Sequence, residues 1–209
     1  MLPLAEVVTF GIVVEGEGEV EAIPVLVRRI CNELCLTFAV QIQRPILVGK
    51  SRLLRPDEIE RAVRLAQIST DFNGPVLVVL DADDDCPARL GTDLKARILW
   101  QSQAWGVSIV VANREFESWF LAAAQSLAGK RGLRNDLSPP PFPETIRGAK
   151  EWLTKNMIGS RAYSPSADQA ALVAGMDLVA ARSSRSFDRL CNEIARLIQG
   201  NGPETFSAG

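Results

Sequence analysis

Val7-Val8-Thr9-Phe10-Gly11-Ile12-Val13-Val14-Glu15 and Val76-Leu77-Val78-Val79-Leu80-Asp81-Ala82-Asp83 are the two stretches that decide the fold. Each is a short, nearly unbroken apolar run rich in valine, the pattern of a strand buried on both faces, and each ends on an acid. Strands of this kind belong to parallel sheets covered by helices. Their carboxyl ends form the crevice where ligands sit, so acids placed at two such ends converge there. Converged carboxylates repel one another, and a divalent cation is the usual remedy.

Between and beyond these runs the elements alternate. Glu19 to Leu36 carries Val20, Ile23, Val27, Ile30 and Leu34 at helical spacing, with Pro24 expected early in the helix, where a missing N–H is tolerated. Phe38 to Val48, interrupted by Pro45, reads as a second strand. Pro56 opens a helix whose buried stripe contains Ile59, Val63 and Ala66, and Asn73-Gly74-Pro75 breaks the chain before the strand that ends at Asp81. Arg89 to Gln103 reads as a helix, Val107 to Ala112 as a strand and Phe116 to Ala124 as a helix. The expected fold class is α/β, a doubly wound and mainly parallel sheet flanked by helices, over residues 1–127.

The texture then changes. Residues 128–144, with Pro139-Pro140-Pro141, read as a Gly/Pro-rich linker or loop. Residues 145–199 read as a helical C-terminal region packed on the first domain, with helices over Thr145–Asn156, Ala167–Ala174 and Arg185–Gln199. Residues 200–209 are expected to form a flexible tail.

Composition bounds the function. The chain has 209 residues, 47% hydrophobic and 23% charged, enough for a sizeable core. There is no histidine, which excludes Ser/His and Cys/His nucleophilic catalysis and leaves any metal site to oxygen ligands, hence to hard cations such as Mg²⁺ or Mn²⁺. The cysteines Cys31, Cys35, Cys86 and Cys191 form no CxxC, so Cys31 and Cys35 read as small core residues rather than a redox pair. No apolar stretch is long enough to cross a membrane and no leader pattern opens the chain, so a cytoplasmic location is expected.

Net charge is −2, unevenly spread: 12 basic against 17 acidic residues through Ala124, then 11 against 8. The acidic part holds the candidate metal site. The basic part, including Lys150, Lys155, Arg182 and Arg185, offers candidate phosphate contacts, although for any single one of these a solvated helical charge is the favoured reading.

Three other motif readings are weaker on their details. Gly16-x-Gly18-x-x-Glu21 imitates a dinucleotide fingerprint without its third glycine and with glutamates that would repel a pyrophosphate. Asp81 to Asp85 imitates an EF-hand start, but Cys86 stands at the turn glycine and Thr92 at the bidentate acid. A phosphatase with Asp81 as nucleophile and Asp83 as general acid is the weaker enzyme alternative, since it leaves Glu15 without a role.

Val14-Glu15-Gly16-Glu17-Gly18-Glu19, Leu80-Asp81-Ala82-Asp83 and Glu115-Phe116-Glu117-Ser118-Trp119 together resemble the toprim fold, and most closely the stand-alone toprim proteins related to the OLD-family nucleases. The resemblance implies that Glu15 is a metal ligand or the general acid/base, that Glu19 is the second acid of its motif, and that Asp81 and Asp83 bind Mg²⁺ or Mn²⁺. It also implies that Glu117 completes a second metal position; Asp85 reads either as a further ligand or as a cap for the helix that follows. Catalytic roles then fall to Glu15, Asp81 and Asp83, with two ions clamping the attacking and leaving oxygens of a phosphodiester.

The function implied is metal-dependent endonuclease or nickase activity, on DNA in preference to RNA, in anti-phage defence beside an ATPase partner. Topoisomerase chemistry needs an attacking tyrosine from another module, and Tyr163 is the only tyrosine; primase activity lacks its zinc module. Relatives carry a lysine after the tyrosine where this chain has Ser164, so the basic group at the leaving oxygen is not assigned by position. The alternative from another class is a non-catalytic toprim scaffold that binds an ATPase or forms a homodimer, with Trp100, Trp105, Trp119 and Phe120 as interface candidates, although packing against the sheet is the expected use of most of them.

Overall fold

The computed structural model describes residues 7–34, 36, 38–101 and 106–199, and the side chains of these save 99–101. Cys35, Trp105, the Trp100 side chain and the expected tail 200–209 lie outside them. The first strand, β1 (Val7–Val14), is the axis of the sheet. On one side it pairs in parallel with β4 (Val76–Asp81), and beyond β4 lies β5 (Val107–Ala112). On the other side it pairs first with β2 (Ala39–Ile42) and then with β3 (Ile46–Leu47), both parallel. The order is β2-β1-β4-β5, with β3 also on β1. The one strand expected over 38–48 is therefore two pieces, separated where Pro45 has no N–H to donate to the ladder.

Strand pleating divides the apolar residues between two faces. Val8, Phe10, Ile12 and Val14 of β1 join Leu77, Val79, Val110 and Ala112 beneath α1 (Glu17–Glu33), α5 (Ser118–Ala122), α8 (Pro165–Gly175) and α10 (Arg185–Gln199). Val13, Val76, Val78, Leu80, Ile109 and Val111 face the opposite way, beneath α3 (Glu58–Ser69) and α4 (Pro87–Gln101). The result is a doubly wound, three-layer α/β fold. Gly11 allows α3 to lie close on β1: a Cβ there would stand 2.6 Å from the carbonyl oxygen of Ala66.

The C-terminal helices belong to the same core. α8 packs along α1 and α10 packs on β5. The Gly/Pro-rich segment is folded in as well, since Leu133 and Leu137 are buried and Leu133 forms an antiparallel bridge with Met157.

Several expected helices shift. Pro24 lies two turns inside α1, not in its first turn. The helix expected to open at Pro56 starts at Glu58, after Asp57 takes a φ of 63°. The helix expected over Thr145–Asn156 becomes a 3-10 turn (Pro143–Thr145) and α7 (Ala149–Lys155), because Gly148 adopts a left-handed φ of 71° between them. The helix expected over Phe116–Ala124 becomes α5 followed by α6 (Ala124–Leu127). Two single-turn helices, α2 (Lys50–Leu53) and α9 (Leu178–Ala181), are too short for periodicity to reveal. Among the described residues no helix is long and apolar enough to cross a membrane.

Candidate metal centre

The chain leaves β1 toward β2 on one side of the sheet and reaches β4 on the other, so the topological switch lies between β1 and β4, and the crevice opens at their carboxyl ends. Glu15 follows β1 directly and Asp81 is the last residue of β4. Glu19 enters from the first turn of α1, where an acid also favours the helix dipole. Glu15, Glu19 and Asp81 each present a carboxylate oxygen, and these oxygens all lie within 4.8 Å of one another.

Hydrogen bonds aim these side chains. The backbone N–H of Glu15 donates to Oε2 of Glu19 at 3.2 Å, so the second acid folds back over the first. The backbone N–H of Phe116 donates to Oδ1 of Asp81 at 2.7 Å. Glu117, at the start of α5, is fully buried, and its Oε1 accepts from the Tyr163 hydroxyl at 2.9 Å and from Nε2 of Gln169 at 3.4 Å. Oε2 of Glu117, Oε2 of Glu15 and Oε1 of Gln169 are buried without a hydrogen-bond partner. The cleft they line, of about 320 Å³, also includes Gly16, Gly18, Lys150, Pro165 and Ser166. A larger cleft of about 470 Å³ beside β2, lined by Arg28, Cys31, Asn32, Leu36, Phe38, Ala39 and Val40, holds no carboxylate.

The acids pay for their convergence. Burial first, then the charge of Asp83, pushes the Glu15 carboxyl up to about 7 from its ordinary 4.5. Burial and the neighbouring Glu15 push Glu19 up to about 8. Asp81 is held well above the usual carboxylate range by burial and by Glu19, Glu15 and Glu117. Burial also raises Glu117, against the opposing pull of Lys150 and Tyr163. Lys150 is raised: its desolvation is outweighed by Glu117, Asp81 and Glu115. Buried carboxylates that resist ionisation, beside orphaned oxygens lining one cleft, could hold a hard divalent cation. Glu15, Glu19 and Asp81 fit that role by distance, and the histidine-free composition fits it by chemistry.

The model of a domain of unknown function, DUF4276, matches residues 14–195. The chain belongs to the DUF4276 family. The match starts one residue before Glu15 and contains every side chain of the cleft, so the centre lies wholly within the DUF4276 domain. No curated protein and no solved structure matches the chain.

Against the expectations from sequence, the DUF4276 centre is differently populated. Asp83 does not turn toward the ion position with Asp81. It lies past the end of β4 with a φ of 52°, so strand alternation no longer applies, and its Oδ2 accepts from Nζ of Lys50 at 2.8 Å. Asp85 also pairs with Lys50, at 3.2 Å, and Asp84 pairs with Arg114 and Arg147 at 3.1 and 2.6 Å. Lys50 further donates to the carbonyl of Ala82 at 2.7 Å.

Of the four basic candidates only Lys150 lines the cleft. Lys155 is exposed at the end of α7, Arg182 pairs with Asp188 at 2.7 Å, and Arg185 lines a separate cavity with Arg189 and Glu144. Glu115 does not line the cleft: its Oε1 accepts from the N–H groups of Gly148 and Ala149 at 3.1 and 3.3 Å, fixing the first turn of α7 and with it Lys150. Sequence reasoning missed Gln169, which no motif marks, and the Tyr163 hydroxyl as the donor to Glu117. The nearest sequence signal was Gly18, whose missing side chain lets α1 approach α8: a Cβ there would lie 2.2 Å from Oε1 of Gln169 and 2.7 Å from the carbonyl oxygen of Pro165.

Proposed function

We propose that this protein is a metal-dependent phosphodiesterase acting on nucleic acid, an endonuclease or nickase with DNA as the preferred substrate. The observation that carries the reading is the convergence of Glu15, Glu19 and Asp81 at the switch point, with oxygens within 4.8 Å, beside the orphaned Oε2 of Glu117 and one lysine. Glu15, Glu19 and Asp81 would hold Mg²⁺ or Mn²⁺. When bound, such an ion would polarise a phosphoryl oxygen and increase the acidity of the attacking water.

The remaining residues have their own tasks. Lys150, 44% exposed at its side chain, reaches from α7 into the cleft and can meet a phosphate oxygen as negative charge grows on it. Glu117, locked by Tyr163 and Gln169, orients that ammonium. Gly16 and Gly18 keep the rim of the cleft next to Glu15 free of side chains. The toprim resemblance of the Glu15 and Asp81 motifs supports the same chemistry, and with a net charge of −2 the grip on a long polyanion is assigned to an ATPase partner.

The test is incubation of purified protein with supercoiled plasmid, linear DNA and structured RNA in Mg²⁺ or Mn²⁺, beside Asp81→Asn. Cleavage that needs both the ion and Asp81 supports the nuclease. Metal binding without cleavage of any substrate favours the scaffold reading.

A further inference from the structure

We propose that the Lys150 ammonium occupies the position of a second divalent cation, so that the centre works with one ion and one lysine instead of two ions. This rests on the metal reading above. A two-metal site needs two ions about 4 Å apart with carboxylates shared between them. The cleft supplies one tight set, Glu15, Glu19 and Asp81. The fourth acid, Glu117, would have to carry the second position, and its Oε1 is already committed to Tyr163 and Gln169.

Its other oxygen, Oε2, faces Nζ of Lys150 at 3.6 Å. The same Nζ stands 3.8 Å from Oε2 of Glu115, so two carboxylates share the ammonium. That placement does not depend on the lysine stem alone, because Oε1 of Glu115 holds the two N–H groups that open α7. Among the described residues no other lysine or arginine lines the cleft. Lys50, the other lysine at the carboxyl end of the sheet, is occupied by Asp83, Asp85 and the Ala82 carbonyl. An ion entering beside Glu117 must displace Lys150. Two buried oxygens without hydrogen-bond partners, Oε2 of Glu117 and Oε1 of Gln169, belong to residues that line the cleft it would enter. Nε2 of Gln169 is the end that donates to Glu117, which leaves Oε1 as the unused acceptor.

The experiment is a Mn²⁺ titration of the full chain, with stoichiometry read by calorimetry and ion proximity by electron paramagnetic resonance. Wild type is expected to bind one Mn²⁺ per chain with an uncoupled spectrum. Lys150→Met, which keeps the aliphatic stem, is expected to bind two with a spin-coupled spectrum, and Lys150→Ala to do the same. Lys150→Arg should stay at one, and Lys150→Met combined with Glu117→Gln should return to one. Two coupled ions in wild type, or a single ion in both folded neutral variants, overturns the proposal. Folded wild type that binds no Mn²⁺ removes the metal reading itself, and this proposal with it.

Discussion

The Tyr163 hydroxyl donates to Oε1 of the fully buried Glu117 carboxylate at 2.9 Å. Gln169 adds a longer hydrogen bond at 3.4 Å. Tyr163→Phe removes the donor and leaves the ring, so the carboxylate stays desolvated with less compensation. The variant should lose about 1–3 kcal/mol of stability, the cost of leaving a buried polar group short of its partner. Urea unfolding at pH 8 measures it. A loss below the error of the midpoint would mean that Glu117 is satisfied by something other than the phenol.

Glu15 and Glu19, raised to about 7 and about 8 from 4.5, give the ion-free protein a definite pH response. Between these limits the folded state holds protons that the unfolded state has already released. The contribution to stability is therefore complete below about pH 4.5 and is lost as pH rises toward 8. Saturating Mn²⁺ should reverse the trend, because the ion binds the ionised carboxylates and stabilises only the state that assembles them. Thermal melts from pH 5 to pH 8.5, with chelator and with Mn²⁺, make the comparison. Parallel curves in the two conditions would rule out ion binding to these acids.

How much of this was legible beforehand follows from where each residue sits. Glu15 and Asp81 could be found because a buried strand announces its own end, and β5 could be bounded at Val107 and Ala112 for the same reason. Glu19 was legible only through the motif resemblance, one helical turn after Glu15. The resemblance pairs Asp83 with Asp81, but Asp83 lies two residues past β4, where a left-handed backbone sends the side chain to Lys50 instead. Lys150 was one of four equivalent cations until the Glu115 contacts to Gly148 and Ala149 selected it. Gln169 and Tyr163 reach the centre only through the packing of α8 on α1, a long-range contact with no period to read.

That packing makes Gly18 a sensitive position. Gly18→Ala would place a methyl 2.7 Å from the Pro165 carbonyl oxygen and closer still to Gln169, and backbone cannot yield as a flexible side chain can. Alanine favours the helix locally by about 1 kcal/mol, so the clash has to exceed that to show. A net destabilisation of about 1–3 kcal/mol is expected, the usual penalty for overpacking. Gly49→Ala, at a site with no atom within 4 Å of the added Cβ, is the control and should change stability by less than about 0.5 kcal/mol. Equal midpoints for the two variants would show that α1 and α8 have room to separate.

Asp81 and Asp83 should part company on substitution. Asp81→Asn keeps an oxygen for the Phe116 N–H and removes the charge that sits with Glu15 and Glu19, so Mn²⁺ affinity should drop by at least about tenfold, with cleavage lost alongside it. Asp83→Asn acts from outside the cluster. It weakens the hold on Lys50 and removes a charge that raises Glu15, two changes that leave the oxygens around the ion in place. Its Mn²⁺ affinity should stay within about threefold of wild type, since an exposed ion pair contributes no more than about 1 kcal/mol. Calorimetry on both variants decides the matter: equal losses would return Asp83 to the metal centre and require Lys50 to release it when the ion arrives.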